Sequence, residues 1–248
     1  MSRADELTAF ARRIADPSQP ERPAVDAATL LILDTNASGE PVVLMGRRHM
    51  RHTFMPGKFV FPGGRVDESD AQTPLLASYH PQITAKLAAQ TTDRSIAQLE
   101  ALAVAACRET YEEAGLFIGK QQEGNIAQPL PPALQAFTQR GLALDLSCYR
   151  LLARAVTPPG QPRCFDTRFF VVDAAQIADR LAEGTGPTGE LEELQWPTLE
   201  ECKQLDLPPI TLVIIEELQQ RLQQDPQLDP ATPIPFYFWQ DGFQRKLL

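Results

Sequence analysis

Several things are scarce in this chain. Its four cysteines, Cys107, Cys148, Cys164 and Cys202, lie far apart with no Cys-x-x-Cys, a spacing that gives neither a zinc site nor a small disulfide framework. Cys107 reads as a small buried hydrophobe. No apolar run is long enough to span a bilayer, and residues 1–16 are charged and lack the apolar core of a secretion signal. A soluble, cytoplasmic setting is the expectation. Positive charge is also short: 23 Lys and Arg against 32 Asp and Glu leave a net charge of -9. Nonspecific nucleic-acid binding relies on cations that neutralise phosphates, so nucleic acid is not an expected partner, and neither is a membrane. A small phosphorylated molecule needs only a local basic patch.

What is present suits a soluble globular protein. A length of 248 residues is ample for a substantial core, and neither an internal repeat nor a linker to a second core is visible. One domain is expected, with its core at about residues 27–222 and a Pro-rich, aromatic extension at 225–248. A short amphipathic helix at 4–15 precedes a Pro-rich break. Apolar runs at 27–33 and 41–45 around the turn-rich cluster 34–39 read as a hairpin with a long loop, and 58–61, 151–156 and 164–172 read as strands. Short helices are expected around 74–78, 81–90 and 131–139, a loop at 119–128, and closing helices at 198–204 and 209–223.

The sequence reads as organised around one acidic stretch. Glu109, Glu112 and Glu113 stand at i, i+3 and i+4, on one side of a helix. Ser95, with Gln98 three residues on, reads as a capping box that starts the helix, and Gly115 suits a left-handed cap that ends it. Ile96, Leu99, Ala103, Ala106 and Thr110 form a small-residue face for packing on a sheet. Like charges this close repel one another, and a helix C-terminus repels anions. The three carboxylates therefore call for cations, and hard divalent ions bind through such oxygens.

Upstream, residues 42–66 contain no acid but hold Arg47, Arg48, Arg51, Lys58 and Arg65, with His49 and His52 interleaved, and run into Pro62-Gly63-Gly64. Cations beside a Gly-rich turn suit a diphosphate, and paired glycines let backbone approach a ligand or metal closely.

The acidic stretch Arg108-Glu109-Thr110-Tyr111-Glu112-Glu113-Ala114-Gly115-Leu116, with Gly64 upstream, resembles the Nudix box, the signature of hydrolases acting on nucleoside diphosphates linked to another group. Three features depart from the pattern. About residues 71–94 form an insertion between the two halves, Thr110 occupies a usually apolar place, and Asp70 stands where the first Glu falls. Asp67, Glu68 and Asp70 all remain candidates for that first acid. The split box, the Phe165-Asp166-Thr167-Arg168-Phe169-Phe170 run and the Phe54-Met55-Pro56-Gly57 stretch resemble the branch that contains the mammalian peroxisomal coenzyme A diphosphatases. The chain ends in Lys246-Leu247-Leu248 and not in the peroxisomal Ser-Lys-Leu address.

The resemblance implies an α/β fold, an α/β/α sandwich with a mixed sheet, an insertion inside the box and helical terminal extensions. It implies that Glu109, Glu112 and Glu113, with backbone oxygen from Gly64, hold Mg2+ or Mn2+, and that Arg108 orients a helix carboxylate. Arg47, Arg51, Lys58 and Arg65 are the candidate phosphate contacts. The general base stays open among a helix glutamate, Glu190 and Glu193. The substrate is expected to be coenzyme A or acyl-CoA, with nucleotide sugars, ADP-ribose and dinucleotides as alternatives. A catalytically silent nucleotide sensor and a purely structural domain are the rival readings. The insertion is either a lid or decoration, and the aromatic tail packs on the domain or on a second copy of the chain.

Overall fold

The computed structural model describes residues 2–16, 18, 22–51, 55–91, 93–122 and 130–248. His52, Phe54 and part of the loop expected at 119–128 lie outside the described residues. Helix α1 (Arg3–Ile14) precedes strands β1 (Val25–Thr35), β2 (Pro41–Val43), β3 (Met45–Arg48), β4 (Phe59–Val60) and β5 (Gly63–Arg65). The insertion contributes β6 (Leu75–Ala77) and α2 (Pro81–Ala88), and the long helix α3 (Ile96–Ala114) then leads to β7 (Leu116–Ile118) and β8 (Lys120–Gln121). Next come α4 (Gln135–Gln139), β9 (Leu142–Asp145), β10 (Arg150–Val156), β11 (Phe165–Asp173) and β12 (Ile177–Arg180). The last elements are β13 (Leu191–Gln195), α5 (Leu199–Cys202), α6 (Pro209–Gln224), β14 (Pro235–Trp239) and β15 (Phe243–Leu247).

The main sheet is mixed, in the order β15-β14-β10-β11-β1-β2, with β5 paired to the same edge of β1 as β2. β1 and β11 run parallel from Val25 opposite Phe165 to Leu33 opposite Asp173. Strand alternation assigns the two faces. Ala28, Leu30 and Ile32 of β1 join Leu102, Ala103 and Ala106 of α3 in one core. Leu31, with Phe169 and Val171 of β11, joins Leu7 of α1 and Val213, Ile214 and Leu218 of α6 in the other. Helices thus cover both faces, which is the expected α/β/α layering. α3 is buried nearly all round along residues 101–108, while Ile96, expected on its packing face, is exposed because it sits in the first turn, beyond the sheet.

The insertion is neither a lid nor decoration. Tyr79, Ile83 and Leu87 are buried against α3, Tyr149 and Phe170. The Tyr79 hydroxyl splices into the α3 ladder, accepting the Ala103 N–H at 3.0 Å and donating to the Leu99 carbonyl at 3.2 Å. The helix expected near 74–78 is instead strand β6, because Leu75 and Ala77 find a parallel partner in β9. The C-terminal extension is also not helical. Phe236 to Trp239 form a β-rich run that turns at 240–242 and returns as β15, and β14 adds to β10 in parallel. The aromatic tail packs on its own sheet, with Phe236 and Tyr237 buried.

Candidate active site

Local sequence determines where α3 begins and ends. Ser95 Oγ accepts the Gln98 N–H at 3.2 Å, and the Gln98 side chain accepts the Ser95 N–H at 2.8 Å. Gly115 closes the helix in the left-handed region at φ +69°, where a Cβ would also stand 2.6 Å from the Thr185 carbonyl oxygen. The last carbonyls of α3 have no partners within the helix. The loop at 185–189 supplies them: Gly186 N–H donates to Glu113 O at 3.1 Å, while Thr188 N–H and Oγ1 donate to Glu112 O at 3.1 and 2.7 Å. That anchoring brings Glu190 to the same end of the helix.

Arg108 organises the carboxylates. It is 3% exposed. Its Nε and Nη2 donate to the two Asp70 oxygens, each at 3.0 Å, and Nη2 also donates to the Arg65 carbonyl at 2.9 Å. Nη1 reaches Glu109 at 2.8 Å and Glu112 at 3.3 Å. All five guanidinium N–H groups have acceptors. Asp70 is therefore the first-half acid that meets Arg108 directly. Asp67 stands 3.7 Å from the guanidinium, and its N–H donates to Asp70.

Glu113 is 3% exposed and accepts the Gly63 N–H at 3.0 Å. Its carboxyl is pushed up to about 8, first by burial and then by Glu109 and Glu190, while Gly63 and Arg48 oppose the shift. Burial also raises Glu109, with Glu112 and Glu190 adding to it against Arg108. Glu112 is raised by burial and by Asp67 and Asp70, again against Arg108. Burial disfavours the charge on Arg108, yet Asp70 and Glu109 more than offset it and hold the guanidinium above its ordinary range. At Gly64 a Cβ would collide with the Glu109 carboxylate, so only glycine lets β5 lie against these acids.

These groups open into a cavity of about 570 Å³, lined by Glu109, Glu112, Glu113, Arg108, Gly63, Gly64, Arg65, Asp67, Arg48 and Glu190 at its acidic part. Of the expected site residues, the structure gathers Glu109, Glu112, Glu113, Arg108, Gly64, Arg65 and Glu190. It places Arg47, Arg51, Lys58 and Glu193 outside the cavity lining. Arg47 pairs with Glu192 at 3.0 Å and Glu193 at 2.5 Å, Arg51 donates to the Thr188 and Gly189 carbonyls, and Lys58 pairs with Asp206. The irregular register of β13 between Glu192 and Gln195, with Glu193 at φ +52°, turns Glu193 outward.

Arg48 was not singled out from its run of cations. It lies 4.0 Å from Glu113 and 3.6 Å from Glu190. Neighbours in a strand point to opposite faces, so of Arg47 and Arg48 only one can face inward. Pairing with β13 decides which. The apolar part of the cavity was likewise missed, because its walls come from elements far apart in the chain.

The donor set fits a hard cation by its chemistry: carboxylate oxygens, desolvated and mutually repelling, beside backbone that no side chain covers. Among the described residues, however, no three acidic, histidine or cysteine side chains already converge as a ligand cage. The cation between Glu109 and Glu112 is the Arg108 guanidinium. Among the described residues no helix is long and apolar enough to cross a membrane.

No protein-family model matches the chain, and no curated protein does. Among solved structures, a Nudix hydrolase from Alicyclobacillus acidocaldarius is similar at 32% identity over 78% of this chain and 90% of its own, with a TM-score of 0.58. A Nudix hydrolase from M. smegmatis, RenU, aligns at 18% identity over 87% of this chain and 96% of its own, with a TM-score of 0.46. The Nudix domain of Shewanella oneidensis NrtR, in complex with ADP ribose, aligns at 16% identity over 86% and 97%, with a TM-score of 0.44.

Proposed function

This chain belongs to the Nudix hydrolase family, and from that premise we propose that it cleaves the diphosphate linkage of a nucleoside diphosphate derivative at the cluster of Glu109, Glu112 and Glu113. The observation that carries this reading is Arg108, buried and fully bonded, holding Glu109 and Glu112 beside Glu113 where the cavity meets Gly63 and Gly64. A structural acidic helix has no need to bury Glu113 and half-bury Glu109 and Glu112 beside it at a cavity wall. Desolvation of this kind is costly and clusters at functional sites.

In the reaction a water oxygen bonds to one phosphorus, the bridging P–O bond breaks, and two phosphate monoesters leave. Arg48 and Arg65 line the cavity and are proposed to hold the diphosphate oxygens through charge-assisted hydrogen bonds. Arg108 acts on the carboxylates and not on the substrate, since Asp70, Arg65 O, Glu109 and Glu112 take up its donors. With Glu109 and Glu112 assigned to the cation, Glu113 and Glu190 are the cavity carboxylates proposed to accept the water proton; Glu193 lies outside the cavity lining. Glu109 and Glu112, with backbone oxygen at Gly64, would hold Mg2+ or Mn2+, which neutralises the diphosphate and acidifies bound water.

Coenzyme A is the proposed substrate within this class, supported by the split box and the Phe-rich strand. The test is release of phosphate monoesters from coenzyme A, ADP-ribose, a nucleotide sugar and diadenosine polyphosphate, with Mg2+, with Mn2+ and with chelator. Glu112→Gln is expected to lose at least about a hundredfold in kcat with its melting midpoint nearly intact. Retained turnover in that variant would remove the cluster from the mechanism, and binding without turnover in the wild type would favour a sensor.

A further inference from the structure

The cavity does not stop at the carboxylates. Its floor runs from β5 across β1 and β11 to β10, three strand spacings or roughly 14 Å. Small side chains carve it. On β1, Ala27 and Thr29 line the cavity, whereas Leu31 on the same face is packed in the core beside α6. On β11, Thr167 lines it between Phe165 and Phe169, and on β10 Ala155 does so. Phe10 and Ile14 of α1 also line it, together with Ile210 of α6. Of the described lining residues on α1, α6, β10 and β11, none carries a formal charge.

α1 is tied down along its length. Thr8 Oγ1 accepts the Phe243 N–H at 2.7 Å, Arg12 donates to the Asp241 carbonyl at 2.7 Å, and Arg3 pairs with Glu216 of α6. Just beyond the helix, Asp16 N–H donates to the Gly160 carbonyl at 3.0 Å. The helix is thus a fixed wall over a mostly apolar chamber, whose lining also takes in Arg163 of the β10–β11 connection, and that chamber is continuous with the acidic part of the same cavity. Continuity selects the occupant, since a group lying here is joined to whatever sits at the carboxylates.

We propose that this chamber receives an apolar arm of the substrate, lying beneath α1 across β11 and β10, and that Phe10 and Ile14 set the length of arm accepted. The proposal rests on the diphosphatase reading for the position of the other half of the substrate. It adds that the N-terminal helix is a specificity element.

Methyl, butyl and octyl esters of adenosine 5′-diphosphate test it. Calorimetric affinity and kcat/KM are both measured on the full chain with Mg2+. Affinity is expected to rise with chain length by about tenfold for every two methylenes that reach the chamber. Ile14→Trp should lower the octyl-to-methyl ratio at least tenfold, and Phe10→Ala, which widens the chamber, should move the optimum to longer chains. Melting curves verify that each variant is folded; if Ile14→Trp is not, the Phe10→Ala shift decides. An affinity independent of chain length in the wild type overturns the chamber while leaving the hydrolase reading intact, provided the methyl ester is cleaved. Affinity that rises with length while no ester is cleaved supports the chamber and overturns the hydrolase reading.

Discussion

Arg108 and Asp70 meet as a buried fork, Nε to Oδ1 and Nη2 to Oδ2, both at 3.0 Å, across the whole insertion that separates them in sequence. Through this pair the two halves of the split box close on each other, and the remaining donors of Arg108 then hold Glu109 and Glu112. Removing Asp70 leaves two N–H donors of the buried guanidinium without acceptors, although Glu109 and Glu112 still oppose its charge. Asp70→Ala is expected to cost about 1 to 3 kcal/mol of stability and to abolish activity, as read by urea unfolding and turnover. Arg108→Lys should also lose activity, because a point charge cannot replace a planar fork. An Asp70→Ala protein of wild-type stability would show that the fork does not form.

Gly64 has no side chain because Glu109 occupies the space where one would be. Gly64→Ala should displace that carboxylate or shift β5, and displacements of about 1 Å cost on the order of a hundredfold in rate. The loss should fall mainly on kcat. Turnover within a fewfold of wild type would mean that Glu109 has no fixed position in the reaction.

In metal-free protein the raised carboxyl of Glu113 links stability to pH. The folded state binds that proton up to about 8, whereas the unfolded chain releases it near the ordinary 4.5. Within that window the folded state binds more protons, so stability rises as pH falls from 9 towards 5. The raised carboxyls of Glu109 and Glu112 act with the same sign. Thermal melts in chelator should show this slope, Glu113→Gln should flatten it, and saturating Mg2+ should raise the midpoint most at the alkaline end. A midpoint that falls on acidification from 9 to 6 would contradict the burial of Glu113.

Tyr79 makes the insertion part of the core. Tyr79→Phe leaves the Ala103 N–H and the Leu99 carbonyl without the hydroxyl between them. The expected loss is about 1 to 3 kcal/mol, measured by denaturant unfolding, with KM for a diphosphate substrate unchanged because no described residue of 71–94 lines the cavity. A changed KM with no loss of stability would return the insertion to the active site.

The limits of α3 were legible from local chemistry. Ser95 with Gln98 and the left-handed Gly115 act over three or four residues, and the i, i+3, i+4 spacing places three carboxylates together wherever the helix lies. The strands around 27–33, 151–156 and 164–172 were legible from their apolar runs, whereas the layering of helices on a sheet was what the family resemblance implied. Long-range pairing decided the rest. β13 chose which of Arg47 and Arg48 faces inward, β9 turned 75–77 from helix to strand, and β10 drew the aromatic tail into the sheet. Asp67, Glu68 and Asp70 are equivalent by charge and spacing until α3 brings Arg108 against one of them. The acidic helix declares its chemistry in sequence because its geometry is periodic. The cavity it faces was decided only in three dimensions, since its walls come from residues as distant as Phe10, Thr167 and Ile210.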